Sequence, residues 1–208
     1  MSQDSDIFEK HYNDYCAQIA EVDFGSMTDR LGIRQYGNQM RVPFFNKDYM
    51  VSSNGIVDTA GNRPEYMACV VIAKYILSCP DKSYHDTEWV SFKDFKRTSH
   101  VTNGNFFTSD TERTLSKHFS GRLDELSSAG EELGGVHHEM ETKYDLSMQF
   151  SALPRISLLL LFNDGDAEFP AQCTVLFQKH AEFYLDPESL IMTGVFLARN
   201  LKKCSQRH

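Results

Sequence analysis

Between Leu153 and Leu185 the chain carries its most informative stretch. Ile156, Leu158, Leu160 and Phe162 alternate with Ser157, Leu159 and Leu161. Both faces of an extended segment would then be apolar, the mark of a strand covered on both sides. The run is far shorter than the ~20 apolar residues a bilayer span requires. Asn163-Asp164-Gly165-Asp166 supplies turn chemistry, because Gly and Asx residues tolerate positive φ. Cys173, Val175 and Phe177 then form one face of a returning strand. Pro154 and Pro170 precede the two runs, where a missing backbone donor is tolerated. Residues 155–162 and 172–178 are therefore expected to pair antiparallel at the centre of a sheet.

The remaining segments read as cover for that sheet. Residues 4–21 place Ile7, Phe8, His11, Tyr12, Tyr15 and Ile19 at helical spacing, which predicts a docking helix. Residues 33–58 read as strands, with Asn54-Gly55 as a type I′ hairpin signal. Asn62 is expected to cap a helix through Met67 to Leu77 that is apolar almost all round, hence buried. Ser91 and Asp94 have the spacing of a capping box, as do Ser109 and Glu112. His100 to Phe107 is loop-like. Leu123, Leu126, Ala129 and Leu133 share one helical face that stops at Gly134-Gly135. Tyr144, Leu146, Met148 and Phe150 alternate with polar residues as a half-exposed strand. Asp186-Pro187-Glu188 opens a last helix. The expectation is α+β: a single domain over 1–208, with a docking helix in 1–25 and a body in 26–203. It has a mixed or mainly antiparallel sheet, a buried central helix and flanking helices.

Composition narrows the function classes. Lys plus Arg number 21 against 29 Asp plus Glu, a net charge of −8. Such a chain repels nucleic acid and anionic lipid unless a local patch reverses the field. The clusters Lys93/Lys96/Arg97 and Lys202/Lys203/Arg207 read as solvated element ends. The five cysteines are odd in number and widely spaced, which argues for reduced thiols. Met-Ser-Gln-Asp-Ser-Asp is no signal peptide, so a cytoplasmic location is expected, with no membrane and no nucleic-acid partner.

The motifs of common chemistries are missing. Gly32 to Gln39 has P-loop glycine spacing but lacks the Lys and hydroxyl that phosphate and magnesium need. No GxGxxG, GxSxG or HExxH is present, so no side chain is assigned a catalytic role and no metal site is predicted. His137 and His138 lie beside Glu139 and Glu141, but neighbours on a strand point to opposite faces. Asp164, Asp166 and Glu168 read as an acidic turn. Asp145 and Arg155 are charges beside strongly apolar strand positions. They read either as a structural ion pair or as a pocket rim that orients a ligand. Trp89, Phe92, Phe106 and Phe107 are candidate lining for that pocket or plain core.

Several segments carry a family resemblance in their order and spacing. They are Arg30-Leu31-Gly32-Ile33, Tyr49-Met50-Val51, Trp89-Val90-Ser91-Phe92, Glu132-Leu133-Gly134-Gly135, Leu153-Pro154-Arg155-Ile156, and Thr174-Val175-Leu176-Phe177 through Tyr184-Leu185. Together they resemble a domain-of-unknown-function family, DUF 3786, of anaerobic bacteria and archaea. The resemblance implies an anaerobe's cytoplasm and a link to redox or cofactor metabolism. Relatives with an iron–sulfur segment carry clustered cysteines, which this chain lacks.

The expected function is a non-catalytic small-molecule or cofactor-binding protein, or a redox-accessory protein with a protein partner. Its candidate ligand-binding residues are Asp145, Arg155, Trp89, His137 and His138. The alternative is an enzyme using Asp145, Arg155 and His137 or His138, which requires those side chains within hydrogen-bond reach of one centre.

Overall fold

The computed structural model describes residues 3–95, 107–140 and 144–207. The first part runs through α1 (Gln3–Ala20), α2 (Thr28–Leu31), β1 (Arg34–Tyr36), β2 (Gln39–Phe44), β3 (Lys47–Ser52), β4 (Gly55–Asp58) and α3 (Tyr66–Leu77). Then come β5 (Trp89–Ser91), a π-helical turn (Thr108–Glu112), α4 (Arg113–Phe119), α5 (Leu123–Glu132) and β6 (Val136–His137). The chain finishes with β7 (Leu146–Leu153), β8 (Ile156–Asn163), β9 (Gln172–Gln178), a 3-10 turn (Lys179–Phe183) and α6 (Pro187–Ser205). Lys96, Arg97, Phe106, Glu141 and most of the expected 100–107 loop lie outside the described residues.

The architecture is α+β. Where one sheet was expected, there are two: a four-stranded meander β1-β2-β3-β4 and a five-stranded sheet β5-β9-β8-β7-β6, all described pairings being antiparallel. The smaller sheet is a run of local hairpins, and so are β6-β7-β8-β9 of the larger one, whose β5 joins β9 from more than 80 residues earlier in the chain. β8 pairs with β9 and β7 at the centre of the larger sheet. Ile156 and every residue from Leu158 to Phe162 are buried. Ile156, Leu158, Leu160 and Phe162 join one hydrophobic core shared with the smaller sheet and the helices.

The two sheets are stitched at a shared irregularity. β7 is bulged between Ser151 and Leu153, and the freed carbonyl of Ala152 accepts the Phe45 N–H at 2.8 Å. Phe45 is the one non-glycine described residue with a positive φ, 51°. Its ring is buried and stacks on Phe196 of α6 at 5.3 Å.

Two local expectations shift. The β3–β4 turn is Ser53-Asn54, and Gly55 alone takes a positive φ, 120°. Gly55 is needed for space as well: a Cβ there would lie 2.5 Å from the Tyr12 hydroxyl. That hydroxyl accepts the Ile56 N–H at 2.9 Å and ties α1 to β4. Helix α3 begins at Tyr66, after Pro64, and not at Asn62. Asn62 instead continues a turn in which Asp58 accepts the amides of Ala60 and Asn62 at 2.9 and 2.8 Å. From Ala68 to Ala73 every residue of α3 is buried, with α1 and α6 on its flanks. The Ser109–Glu112 box caps no helix start, because that stretch is already inside the π-helical turn. Ser91 and Asp94 do close on each other, through the Ser91 hydroxyl at 2.6 Å. Phe92 and Phe107 stack at 5.0 Å and are both buried, so they are core.

A candidate ligand cleft walled by Arg155

Helix α2 has four residues, and its last carbonyls need outside donors. The fold supplies three from distant elements. Arg155, in the β7–β8 turn, donates Nη2 to Asp29 O at 2.7 Å and Nε to Arg30 O at 3.3 Å. Tyr75 of α3 donates to Leu31 O at 2.6 Å. Tyr184 accepts the Tyr84 N–H at 2.8 Å, and its single O–H is shared between Tyr84 O at 3.2 Å and Arg30 O at 3.4 Å. Gly32 follows with φ 66°, and a Cβ there would sit 3.1 Å from Arg155 Nε. The guanidinium is thus held in one orientation by backbone.

Arg155 also lines a cleft of about 660 Å³ with His85, Asp86, Thr87, Ser157, Gln178 and His180. Its Nη1 lies 3.2 Å from His85 Nε2. A guanidinium only donates, so that ring nitrogen accepts and His85 carries its proton on Nδ1. His180 is buried and bonded on both sides. Its Nδ1 accepts the Asp86 amide at 2.9 Å, so Nε2 holds the proton and donates to Arg155 O at 2.9 Å. Burial holds the His180 pKa below the usual histidine range. Among the described residues no carboxylate pairs with Arg155, and the side chains of Thr87, Ser157 and Gln178 have no hydrogen-bond partner. Arginine carries five N–H donors. Three are used, which leaves one on each terminal nitrogen.

Ser157 and Gln178 belong to the face of the large sheet that points away from the main core. Trp89 lies on that face too, directly opposite Gln178. Its ring meets His138 edge-on at 5.9 Å. β5 and β6 are the two outer strands, which a flat sheet would hold roughly 19 Å apart at ~4.8 Å per strand. The sheet must therefore coil, bringing diagonal corners together over one face. Leu159 and Leu161 are buried on that face without joining the main core.

Of the expected site residues, Trp89 and His138 come together, and Arg155 lies at one end of the same sheet. Asp145 is at the other end, where it accepts the Asp164 N–H at 2.7 Å. The length of β8 separates it from Arg155 by roughly 23 Å at ~3.3 Å per residue. The two form no ion pair and share no centre. His137 points to the opposite face from His138, exposed and 3.6 Å from Glu131. His85, Asp86, Thr87, Ser157, Gln178 and His180 were not singled out from the sequence. Ser157 and Gln178 did carry a signal, as polar residues on the non-core side of apolar strands.

These features define an α+β protein with a polar cleft walled by an arginine that backbone carbonyls hold. The family model described as "Domain of unknown function (DUF3786)" matches residues 23–200, and the chain belongs to that family. Comparison with curated proteins finds no match, and comparison with solved structures finds none. No helix of the described residues is long and apolar enough to cross a membrane.

Proposed function

We propose that this protein is a non-catalytic binding module that seats a small molecule in the Arg155 cleft. The observation that carries the reading is the pairing of fixed geometry with unused bonding capacity. Arg155 is immobilised by Asp29 O and Arg30 O, yet keeps two N–H groups beside the unpartnered Thr87, Ser157 and Gln178. Binding sites join a mostly preformed concave wall to a few polar groups that orient the ligand.

Binding is favoured over catalysis because the histidines are already engaged. Both nitrogens of His180 are committed to backbone, and His85 Nε2 accepts from Arg155. Neither stands ready as a base for Ser157. Burial pushes the Cys69 thiol up to about 11 and raises that of Cys79, so neither is a ready thiolate. The reading places the protein in a reducing cytoplasm, and five free cysteines support that placement.

A thermal-shift screen of metabolites and cofactors tests it. A true ligand raises the Tm of the natural protein and does so much less for Thr87→Ala/Ser157→Ala, whose side chains support nothing else. A panel in which every shift is equal in the two proteins would refute the cleft as the site.

A further inference from the structure

We infer that the cleft is built for a zwitterion, a small molecule that carries a carboxylate and an ammonium group as an amino acid does. The inference rests on the cleft being the binding site and adds the class of its ligand.

Two opposite charges line the cleft without satisfying each other. Arg155 contributes a guanidinium with two undirected N–H groups, fixed by backbone carbonyls. Asp86 contributes a carboxylate of which one oxygen, Oδ1, accepts the Glu88 amide at 2.9 Å. Its other oxygen has no partner among the described residues. The nearby Lys179 makes its hydrogen-bonded pair with Glu88 and feels the Asp86 charge only at longer range. Asp86 and Arg155 form no ion pair, although His180 connects them, accepting from the amide of one and donating to the carbonyl of the other.

That arrangement selects against single charges. A plain carboxylate gains Arg155 but faces Asp86, and a plain amine gains Asp86 but faces Arg155. Only a ligand with both groups meets a complementary field, and unpaired charge near a binding group costs affinity. Thr87, Ser157 and Gln178 add neutral donors and acceptors for the ligand's remaining polar atoms. No nucleotide-sized polyanion suits a wall that holds one cation and one anion.

The experiment titrates the full chain with each protein L-amino acid, and with the carboxylate and the amine left when one charged group is removed. The variants are Asp86→Asn, whose amide oxygen still accepts from Glu88, and Arg155→Gln. At least one amino acid is expected to bind, about tenfold or more tighter than either truncated partner. Asp86→Asn is expected to remove that advantage from both sides, weakening the amino acid, which loses the partner of its ammonium, and strengthening the carboxylate, which no longer faces an anion. Carboxylates binding as tightly as amino acids, with no effect of Asp86→Asn, would overturn the zwitterion and leave the cleft standing. No binding by any amino acid, while an unrelated compound shifts cleft residues, would do the same. A ligand insensitive to both variants would overturn the cleft as well.

Discussion

The imidazole of His180 accepts the Asp86 amide through Nδ1 at 2.9 Å. A protonated ring cannot accept, so that bond exists only while His180 is neutral. Burial lowers the His180 pKa, and burial together with Arg122 lowers that of His118. A histidine whose folded pKa is depressed contributes stability that is complete above its unfolded value, about 6.5. That contribution is lost as pH falls further, because the unfolded chain then binds more protons. The urea midpoint is expected to drop between pH 7 and 5, before carboxylates titrate. His180→Gln should flatten part of that slope. A midpoint constant across this window would contradict the assignment.

Gly32 is predicted to be intolerant of a side chain. Its φ of 66° disfavours any L-residue, at about 1–2 kcal/mol. An added Cβ would also meet Arg155 Nε at 3.1 Å and Pro154 Cβ at 3.2 Å. Gly32→Ala should therefore lower stability in denaturant melts and weaken cleft ligands. Unchanged affinity would mean the guanidinium tolerates displacement.

Phe45 tests the seam between the sheets. Phe45→Ala removes a buried ring stacked on Phe196 and is expected to cost about 3–5 kcal/mol. Glycine is ordinarily worse than alanine in folded structure. Here the positive φ of 51° should reverse that order, so Phe45→Gly melts above Phe45→Ala. The ordinary order would show that the backbone relaxes when the ring is gone.

Tyr75→Phe removes a hydroxyl that donates into the α2 clamp and also takes a hydrogen bond from the Arg155 backbone. It leaves Leu31 O without its 2.6 Å donor in a buried setting, at a cost of about 1–3 kcal/mol. A calorimetric melt indistinguishable from the natural protein would mean that the carbonyl finds another partner.

The parts of the fold that were legible are those in which the pattern is local. The apolar run from Ile156 to Phe162 is a central strand because both of its faces are covered. Asp186 does cap α6, accepting the Ser189 amide at 2.8 Å. The split into two sheets was not legible, since whether hairpins join depends on which carbonyl a bulge frees. Asn54-Gly55 did mark the β3–β4 hairpin, but the turn sits one residue earlier, at Ser53-Asn54, and Gly55 makes room for Tyr12, which is 43 residues away in the sequence. Trp89 and His138 were plausible ligand residues as aromatic and titratable groups, but only sheet coiling sets them face to edge. His85 and His180 had no local signature. Each takes its role from Arg155, through contacts that span 70 and 25 residues.

The most direct measurement is a two-dimensional amide NMR titration of the full chain with amino acids and their matched carboxylates. The largest shifts are expected at His85, Asp86, Thr87, Ser157, Gln178 and His180, and they should vanish in Arg155→Gln. A second depression of about 430 Å³ offers Arg199, Lys202 and Lys203 beside Asp110. Shifts gathered there, with the Arg155 cleft silent, would contradict the account.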